Sequence, residues 1–194
     1  MPLCPLDNEQ ELGIPDKRNI LDWKPLLIHS MLQTVLILVS NPEGTTALNL
    51  PRELRKLQEA VQRSQQRQHF KVELRFATTE TDLRRHILDV KPRIVHFCGH
   101  GTEQGLVLED DSGKKKLSNQ FLTSLLKDFA DRIECVVLNA CDTAPLTDAL
   151  AEHINYVIGM NQAVRDDAAI AFAEGFYDAL GAGESQTPPA KLVA

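Results

Sequence analysis

Two short and continuous apolar runs set the strongest limits on the fold of this chain: TVLILVS at residues 34–40 and CVVLNA at residues 135–140. Both contain β-branched residues, and neither alternates regularly between apolar and polar positions. A strand of this kind is buried on both faces, which is typical of parallel sheets covered by helices on each side. The chain is therefore predicted to contain a buried parallel sheet.

Further strands and helices are predicted to alternate along the rest of the sequence. The predicted strands are residues 70–76, 93–97 and 156–160, and residues 105–110 with a turn at Ser112–Gly113 predict a projecting hairpin. Five helices are predicted. The first follows Pro51, the second covers residues 79–89 with Thr79 and Asp82 at cap spacing, and the third surrounds residues 121–126. The fourth starts at a Thr143 cap with Pro145 in its first turn, and the fifth covers residues 167–180 and ends at Gly181 and Gly183. Alternating strands and helices indicate an α/β fold, a three-layer α/β/α sandwich with a mostly parallel central sheet.

The domain boundaries follow the same pattern. Residues 1–31 contain scattered proline and charge with little periodicity, so they are predicted to form an N-terminal extension. Residues 32–185 carry the regular alternation and form one domain, and residues 186–194 form a short tail.

Composition narrows the classes of partner and compartment. The net charge is −6 and the one basic run, at residues 114–116, is isolated, so no nucleic-acid partner is expected. No apolar run is long enough to span a bilayer, and the N-terminus lacks the features of a secretion signal, so we expect a cytoplasmic protein without a membrane partner. The four cysteines contain no CxxC pair, so no structural metal and no cofactor are expected.

Two chemically active residues follow two of the predicted strands. His100 comes shortly after the strand at residues 93–97, and Cys141 comes directly after the strand at residues 135–140. If both strands are parallel neighbours, the thiol and the imidazole emerge at the same edge of the sheet, where open α/β sheets place their sites. They would then form a nucleophile and its proton-transfer partner. A helix starting after Cys141 would favour the thiolate.

The other candidate residues near these strands have structural interpretations. His96 lies inside a strand and is expected to be a hydrogen-bonded structural histidine. A metal site made of His96 and His100 is not favoured, because their i, i+4 spacing brings two side chains together on a helix, whereas this segment is a strand that runs into a glycine bend. Cys98 and Cys135 are expected to be small apolar core residues.

Together these motifs resemble a known family. IVHFCGHG, followed about forty positions later by CVVLNACDT, is similar to the CHAT domain, a branch of the caspase-like cysteine peptidases that includes caspases, metacaspases, separase and gingipains. The resemblance continues through LVLED, HINYVIGM and AVRDDAAIAFAEGFYDALGAGES and covers roughly residues 33–185. It implies a caspase-hemoglobinase fold in which His100 and Cys141 are the catalytic dyad.

The resemblance also implies roles for neighbouring groups. The backbone N–H groups of Gly101 and Cys141 would hold the oxyanion. Asn139 stands where metacaspases have an aspartate that helps to bind basic side chains, so a preference for arginine or lysine does not follow from the resemblance. Independently of the resemblance, the charge of Asp142 opposes formation of the Cys141 thiolate unless its side chain turns away toward substrate.

Asp166 and Asp167 fall where relatives carry an acidic stretch at the substrate-binding pocket. Their alternative role is to cap the last helix. Relatives usually continue past the GES segment with another helix and strand, and often with TPR repeats. The resemblance therefore leaves open whether the end of this chain is native or truncated.

Three functions follow from these observations. The first is a cysteine endopeptidase that cleaves protein or peptide substrates and is regulated by a sensor protein or a TPR-containing partner. The second is a catalytically silent CHAT-like module that signals by docking. The third, a nucleotide-binding domain, is disfavoured because no phosphate-binding glycine motif follows any predicted strand.

Overall fold

In a computed structural model, residues 32–76, 79–110, 113–182 and 191–193 form nine strands and five α-helices. The strands are β1 (Gln33–Val39), β2 (Phe70–Phe76), β3 (Ile94–Cys98), β4 (His100–Thr102), β5 (Gly105–Asp110), β6 (Gly113–Ser118), β7 (Cys135–Asn139), β8 (Tyr156–Gly159) and β9 (Lys191–Val193). The helices are α1 (Leu50–Arg63), α2 (Glu80–Val90), α3 (Asn119–Lys127), α4 (Ala144–Ala151) and α5 (Asp166–Ala182). The extension predicted at residues 1–31, Ser112 of the predicted turn and Gly183 lie outside the described residues.

The central sheet has the strand order β2-β1-β3-β7-β8-β9, and every neighbouring pair in it is parallel. Its two middle strands, β3 and β7, are buried along their whole length. The predicted parallel sheet is therefore confirmed, and its buried strands are the ones with continuous apolar sequence.

Two separate apolar cores lie on the two faces of this sheet. On one face, alternate residues of β1, β3 and β7 pack against α1 and α5; on the other, the intervening residues pack against α2, α3 and α4. Strand β3 shows the alternation directly, because Ile94 and Cys98 face α1 and α5 while Val95 and Phe97 face the opposite core. The predicted three-layer α/β/α sandwich is confirmed.

A second, three-stranded sheet stands beyond the central one in the order β4-β5-β6, with antiparallel pairing throughout. Strands β5 and β6 form the predicted hairpin, and Leu106, Leu108 and Leu117 anchor it in the core shared with α2, α3 and α4. The sequence placed His100 in a glycine bend. It instead begins β4 and lies opposite Val107. Its backbone is therefore held by a strand pairing.

The helix termini agree with the sequence at α2 and differ at α4. Thr79 accepts a hydrogen bond from the Asp82 N–H at 3.1 Å, as the predicted cap requires. Thr143 precedes α4, but its side chain makes no capping hydrogen bond to that helix. Thr143 does occupy the predicted N-cap position of α4, where its carbonyl accepts from the Thr147 N–H at 2.8 Å. Its hydroxyl instead accepts from the Met160 N–H at 2.9 Å and ties the start of α4 to the end of β8.

Helix α5 also passes the glycine that was predicted to end it. Gly181 lies inside the helix, which continues through Ala182. A Cβ at Gly181 would lie 2.5 Å from Cβ of Ser64, at the end of α1. The Ser64 hydroxyl donates to the Gly181 carbonyl at 2.8 Å. Glycine is therefore needed here for the close approach of α1 and α5.

The segment assigned to a tail contributes to the sheet. Strand β9 pairs in parallel with β8, with Leu192 opposite Ile158. Across the described part of the chain, no helix combines the length and the apolar character required to cross a membrane.

Candidate active site

The two strands that precede the predicted dyad end side by side. In the parallel pairing of β3 and β7, Cys98 lies opposite Asn139. The Gly99 N–H donates to the Asn139 carbonyl at 3.4 Å, so the pairing extends one residue past the strand. His100 lies two residues after Cys98, and Cys141 lies two residues after Asn139. They therefore leave the sheet at the same edge and at the same level.

Gly101 brings the His100 segment into close approach with the segment that carries Cys141. A Cβ at Gly101 would lie 2.2 Å from the Cys141 carbonyl oxygen and 2.9 Å from Cγ2 of Thr143. Real Cβ atoms do not approach backbone atoms so closely, so no larger residue fits without displacement. This glycine therefore sets the separation between the two segments.

A small cleft lies at this edge of the sheet and has a cavity volume of about 40 Å³. Four of the predicted site residues line it: His100, Asn139, Cys141 and Asp166. Its wall also includes the following residues from α1, α5 and the loops: Leu48, Glu53, Gly99, Ala140, Met160, Val164 and Ala169. Residues distant in the sequence therefore meet around one thiol.

Cys141 differs from the other cysteines in the described part of the chain. Its side chain is partly exposed, and Sγ lies 4.0 Å from the Val164 carbonyl oxygen. Cys98 and Cys135 are buried, as the sequence predicted. Burial raises the pKa of Cys135 to about 12, and burial beside Glu53 raises the pKa of Cys98 well above its ordinary value. Both remain protonated thiols at neutral pH, so Cys141 is the accessible nucleophile among the three.

The chain turns sharply after Cys141. Asp142 has φ 55°, in the left-handed region that aspartate, asparagine and glycine adopt most readily. Thr143 follows and is fixed on both sides, because its N–H donates to the Met160 carbonyl at 2.8 Å and its hydroxyl accepts from the Met160 N–H. The turn holding the thiol is thereby tied to the end of β8.

The two neighbouring aspartates of α5 have different surroundings. Asp166 is partly buried at the start of the helix, lines the cleft and accepts a weak hydrogen bond from the Asn49 N–H at 3.4 Å. Asp167 is exposed, forms a two-point ion pair with Arg165 and accepts from the Ala168 N–H at 3.1 Å. Of the two, Asp166 is the one beside the thiol.

A buried polar cluster under the cleft was not predicted. Asn139 donates to Oε1 of Glu53 at 2.6 Å and to the Ala169 carbonyl at 3.3 Å, which joins β7 to both α1 and α5. Glu53 is 4 % exposed. The sequence did contain an indication of this position, because Glu53 stands at helical spacing from Leu50 and Leu57 on the apolar face of α1. A carboxylate on such a face needs a buried partner.

His96 belongs to the same cluster and has the structural role expected of it. It is fully buried, its Nδ1 lies 3.0 Å from the Tyr177 hydroxyl, and the two rings stack with centroids 5.6 Å apart. Desolvation lowers the pKa of His96 to about 3, so the imidazole is neutral at physiological pH. Burial raises the pKa of Glu53, although hydrogen bonds from Cys98 and Asn139 oppose this shift.

Tyr177→Phe is expected to lower the free energy of unfolding by about 1–3 kcal/mol, because it leaves the buried His96 Nδ1 without its partner. Urea denaturation followed by circular dichroism measures the change. Phe176→Leu is a suitable comparison on the adjacent, partly buried position, since it removes an aromatic ring but no hydrogen bond. A Tyr177→Phe variant as stable as the parent would show that the pair contributes nothing.

Comparisons with known proteins match this sequence to one family. The profile described as the CHAT domain matches residues 15–191. A "Probable protease" from Gillisia limnaea is 25% identical over 172 residues, which cover 83% of this chain and 29% of that protein. A "Roc-COR-CHAT protease" from an unknown prokaryotic organism is 24% identical over 183 residues, covering 90% of this chain and 17% of that protein.

The chain thus spans less than a third of the length of these two relatives. Among solved structures, one of the RcsB response regulator from Salmonella typhimurium is 14% identical, with a TM-score of 0.45 over 82% of this chain and 65% of that one. A similarity of this size supports no conclusion about function.

Proposed function

Since the chain belongs to the CHAT domain family, we propose that it is a cysteine-type endopeptidase that cleaves protein substrates through Cys141 and His100. The observation that carries this proposal is the register of β3 and β7, with Cys98 opposite Asn139. That pairing brings the two residues to one edge, around a cleft that both of them line. The names of the two curated relatives support the same class of activity.

The proposed reaction is acyl transfer to the thiol. Cys141 Sγ gives its proton to His100, attacks the carbonyl carbon of the scissile peptide bond and forms a tetrahedral adduct. His100 gives a proton to the leaving amine as the C–N bond breaks, which leaves a thioester on Cys141. Water then attacks the thioester carbonyl, His100 accepts its proton, and the new carboxyl end is released with the thiol restored.

Backbone N–H groups of Gly101 and Cys141 are the proposed donors to the negative oxygen of the adduct. The close approach of Gly101 to the Cys141 carbonyl supports this assignment, because it brings the two backbone segments next to each other. Donors fixed in advance lose little energy to reorganisation when the charge develops. The strand pairing of β4 and the ties of Thr143 to Met160 provide that rigidity.

Substrate side chains are proposed to contact Asp166 and Asn139, which line the cleft, and Asp142, which follows the thiol. Asn139 has its amide group engaged with Glu53 and Ala169, so it is proposed to shape the floor of the pocket. Asp167 is the weakest candidate of the sequence prediction, because its carboxylate is engaged by Arg165 at the exposed surface.

Asp166→Asn is expected to change the ratio of kcat/KM between substrates with basic and with neutral side chains at the cleaved position, by about 1–3 kcal/mol. The reason is that the charge of Asp166 is proposed to contact the substrate side chain there. Thermal stability should change little, because the single hydrogen bond to Asn49 is long and exposed. A peptide-library cleavage profile and a melting curve measure the two effects. Asp167→Asn is the matched control and should keep the parent profile. A large loss of stability with an unchanged profile would support the capping role instead.

Regulation by a sensor or partner is proposed from the length of the relatives. The chain spans 17% of a protein whose name joins Roc, COR and CHAT, so that relative has room for other domains beside the matching part. We therefore propose that a sensor protein or a TPR-containing partner regulates this chain in the cytoplasm.

The alternative predicted from the sequence is a catalytically silent interaction module. Incubation of the chain with a peptide library, followed by mass spectrometry, separates the two functions. We expect cleavage that disappears in Cys141→Ala. A library left intact by the parent chain, although a peptidyl electrophile occupies the cleft, would favour the docking module.

A further inference from the structure

Three metal-binding side chains meet in the buried cluster under the cleft. The donor atoms of Glu53, His96 and Cys98 all lie within 4.8 Å of one another, and all three residues are buried. Oε1 of Glu53 and Nε2 of His96 are 4.0 Å apart. These residues come from α1 and β3, so the cluster joins a helix to the central sheet.

The orientation of His96 is that of a metal ligand. In the tautomer with the proton on Nδ1, this nitrogen donates to the Tyr177 hydroxyl 3.0 Å away. Nε2 then carries the lone pair and lies 4.0 Å from Oε1 of Glu53, and it has no hydrogen-bond partner among the described residues although the side chain is 0 % exposed. Metal-bound histidines are commonly held in this way, by a hydrogen bond from the second ring nitrogen.

We propose that Glu53, His96 and Cys98 bind one zinc ion beneath the cleft. Carboxylate oxygen, imidazole nitrogen and thiolate sulfur are the three donor types that zinc takes in proteins, at about 2.0–2.3 Å. Donors around a tetrahedral ion at such distances lie roughly 3–4 Å apart, so small side-chain movements close the site. Zinc binding releases the proton of the Cys98 thiol to solvent. The divalent cation with one carboxylate and one thiolate then has no net charge, which suits a buried position.

An ion can reach this site through the cleft. Glu53 and Asn139 line the cleft together with Cys141, so the carboxylate is accessible from the side where substrate would bind. A water molecule from the same side fills the fourth position. The site differs from the His96/His100 pair considered from the sequence, because it uses His96 without His100 and takes its other donors from Glu53 and Cys98.

Cobalt(II) is the probe that tests the proposal. Titration of the reduced chain with Co²⁺ is expected to give the intense visible absorption of a tetrahedral site and a sulfur-to-cobalt charge-transfer band, both displaced by one equivalent of Zn²⁺. Cys98→Ser should remove the charge-transfer band and weaken metal binding by more than roughly 100-fold. Losing only the hydrogen-bond partner of a ligand costs up to about that much, and losing the ligand itself should cost more. Cys135→Ser is the matched control, a buried cysteine outside the cluster, and Cys4→Ser is a second control; both should keep the parent spectrum.

Two spectral results would overturn the proposal, and an affinity measurement on Glu53→Gln provides a third. One is an unchanged spectrum in Cys98→Ser with loss of the band in Cys141→Ser, since the metal would then be at the cleft thiol. The other is a parent chain that shows no tetrahedral cobalt spectrum. Glu53→Gln guards against a folding failure of Cys98→Ser, because it keeps the sulfur donor. It should retain the charge-transfer band with weaker binding, and an unchanged affinity in Glu53→Gln would exclude Glu53 as a ligand.

Discussion

Cys141→Ala and His100→Ala are each expected to lower kcat/KM for peptide cleavage by about 10⁴-fold or more. The thiol forms the covalent bond, and the imidazole supplies the proton without which the amine cannot leave. Because the two act as one unit, the double variant should be scarcely slower than either single variant. Losses that add in the double variant would show that the two residues act independently.

Neither His100 nor Cys141 is part of the two apolar cores, so a loss of activity in these variants can be distinguished from a loss of folding. Cys135→Ala is the matched control, because it removes a buried thiol of β7. The pKa of this thiol, about 12, keeps it protonated. Its kcat/KM per folded molecule should equal that of the parent. Steady-state hydrolysis of the best peptide from the library measures all four variants.

Gly101→Ala is expected to have the second-largest effect, with losses of both activity and stability. The added Cβ would lie 2.2 Å from the Cys141 carbonyl oxygen and 3.1 Å from Cβ of Ala140, so the two segments must separate. Forced overpacking of this kind costs about 1–3 kcal/mol. A displacement of about 1 Å between His100 and Cys141 would cost a further 10²-fold in rate. Denaturation and peptide hydrolysis measure the two effects.

Gly175→Ala is the matched control for this substitution. Gly175 is exposed in the middle of α5, and a Cβ added there meets no atom within 4 Å. The change should raise the free energy of unfolding by about 0.5–1 kcal/mol through helix propensity and leave hydrolysis unchanged. If Gly101→Ala behaved like Gly175→Ala, the close approach of the two segments would have no importance for the site.

The sheet and the meeting of His100 with Cys141 could be predicted because both depend on local pattern. A continuous apolar run marks a buried parallel strand, and parallel strands bring their carboxyl ends to one edge. The position of each residue shortly after its predicted strand was therefore sufficient to predict that both lie at this edge. Burial of Cys98 and His96 followed from the same strand pattern.

The differences arise where tertiary partners decide the local structure. Thr143 has the sequence of a cap, but Met160 at the end of β8 takes its hydroxyl. Gly181 has the sequence of a helix stop, but the close packing of α5 on Ser64 requires a glycine within the helix. The buried role of Glu53 depends on Asn139, which is 86 positions away along the chain. None of these partners can be read from neighbouring residues.

Covalent labelling by a peptidyl electrophile, mapped by mass spectrometry, tests the proposed dyad most directly. The reaction needs only the thiol and its proton-transfer partner, so it does not depend on knowing the natural substrate. We predict selective modification of Cys141 that is lost in His100→Ala and retained in Cys135→Ala. Equal modification of all four cysteines, or unchanged modification of Cys141 in His100→Ala, would contradict the account.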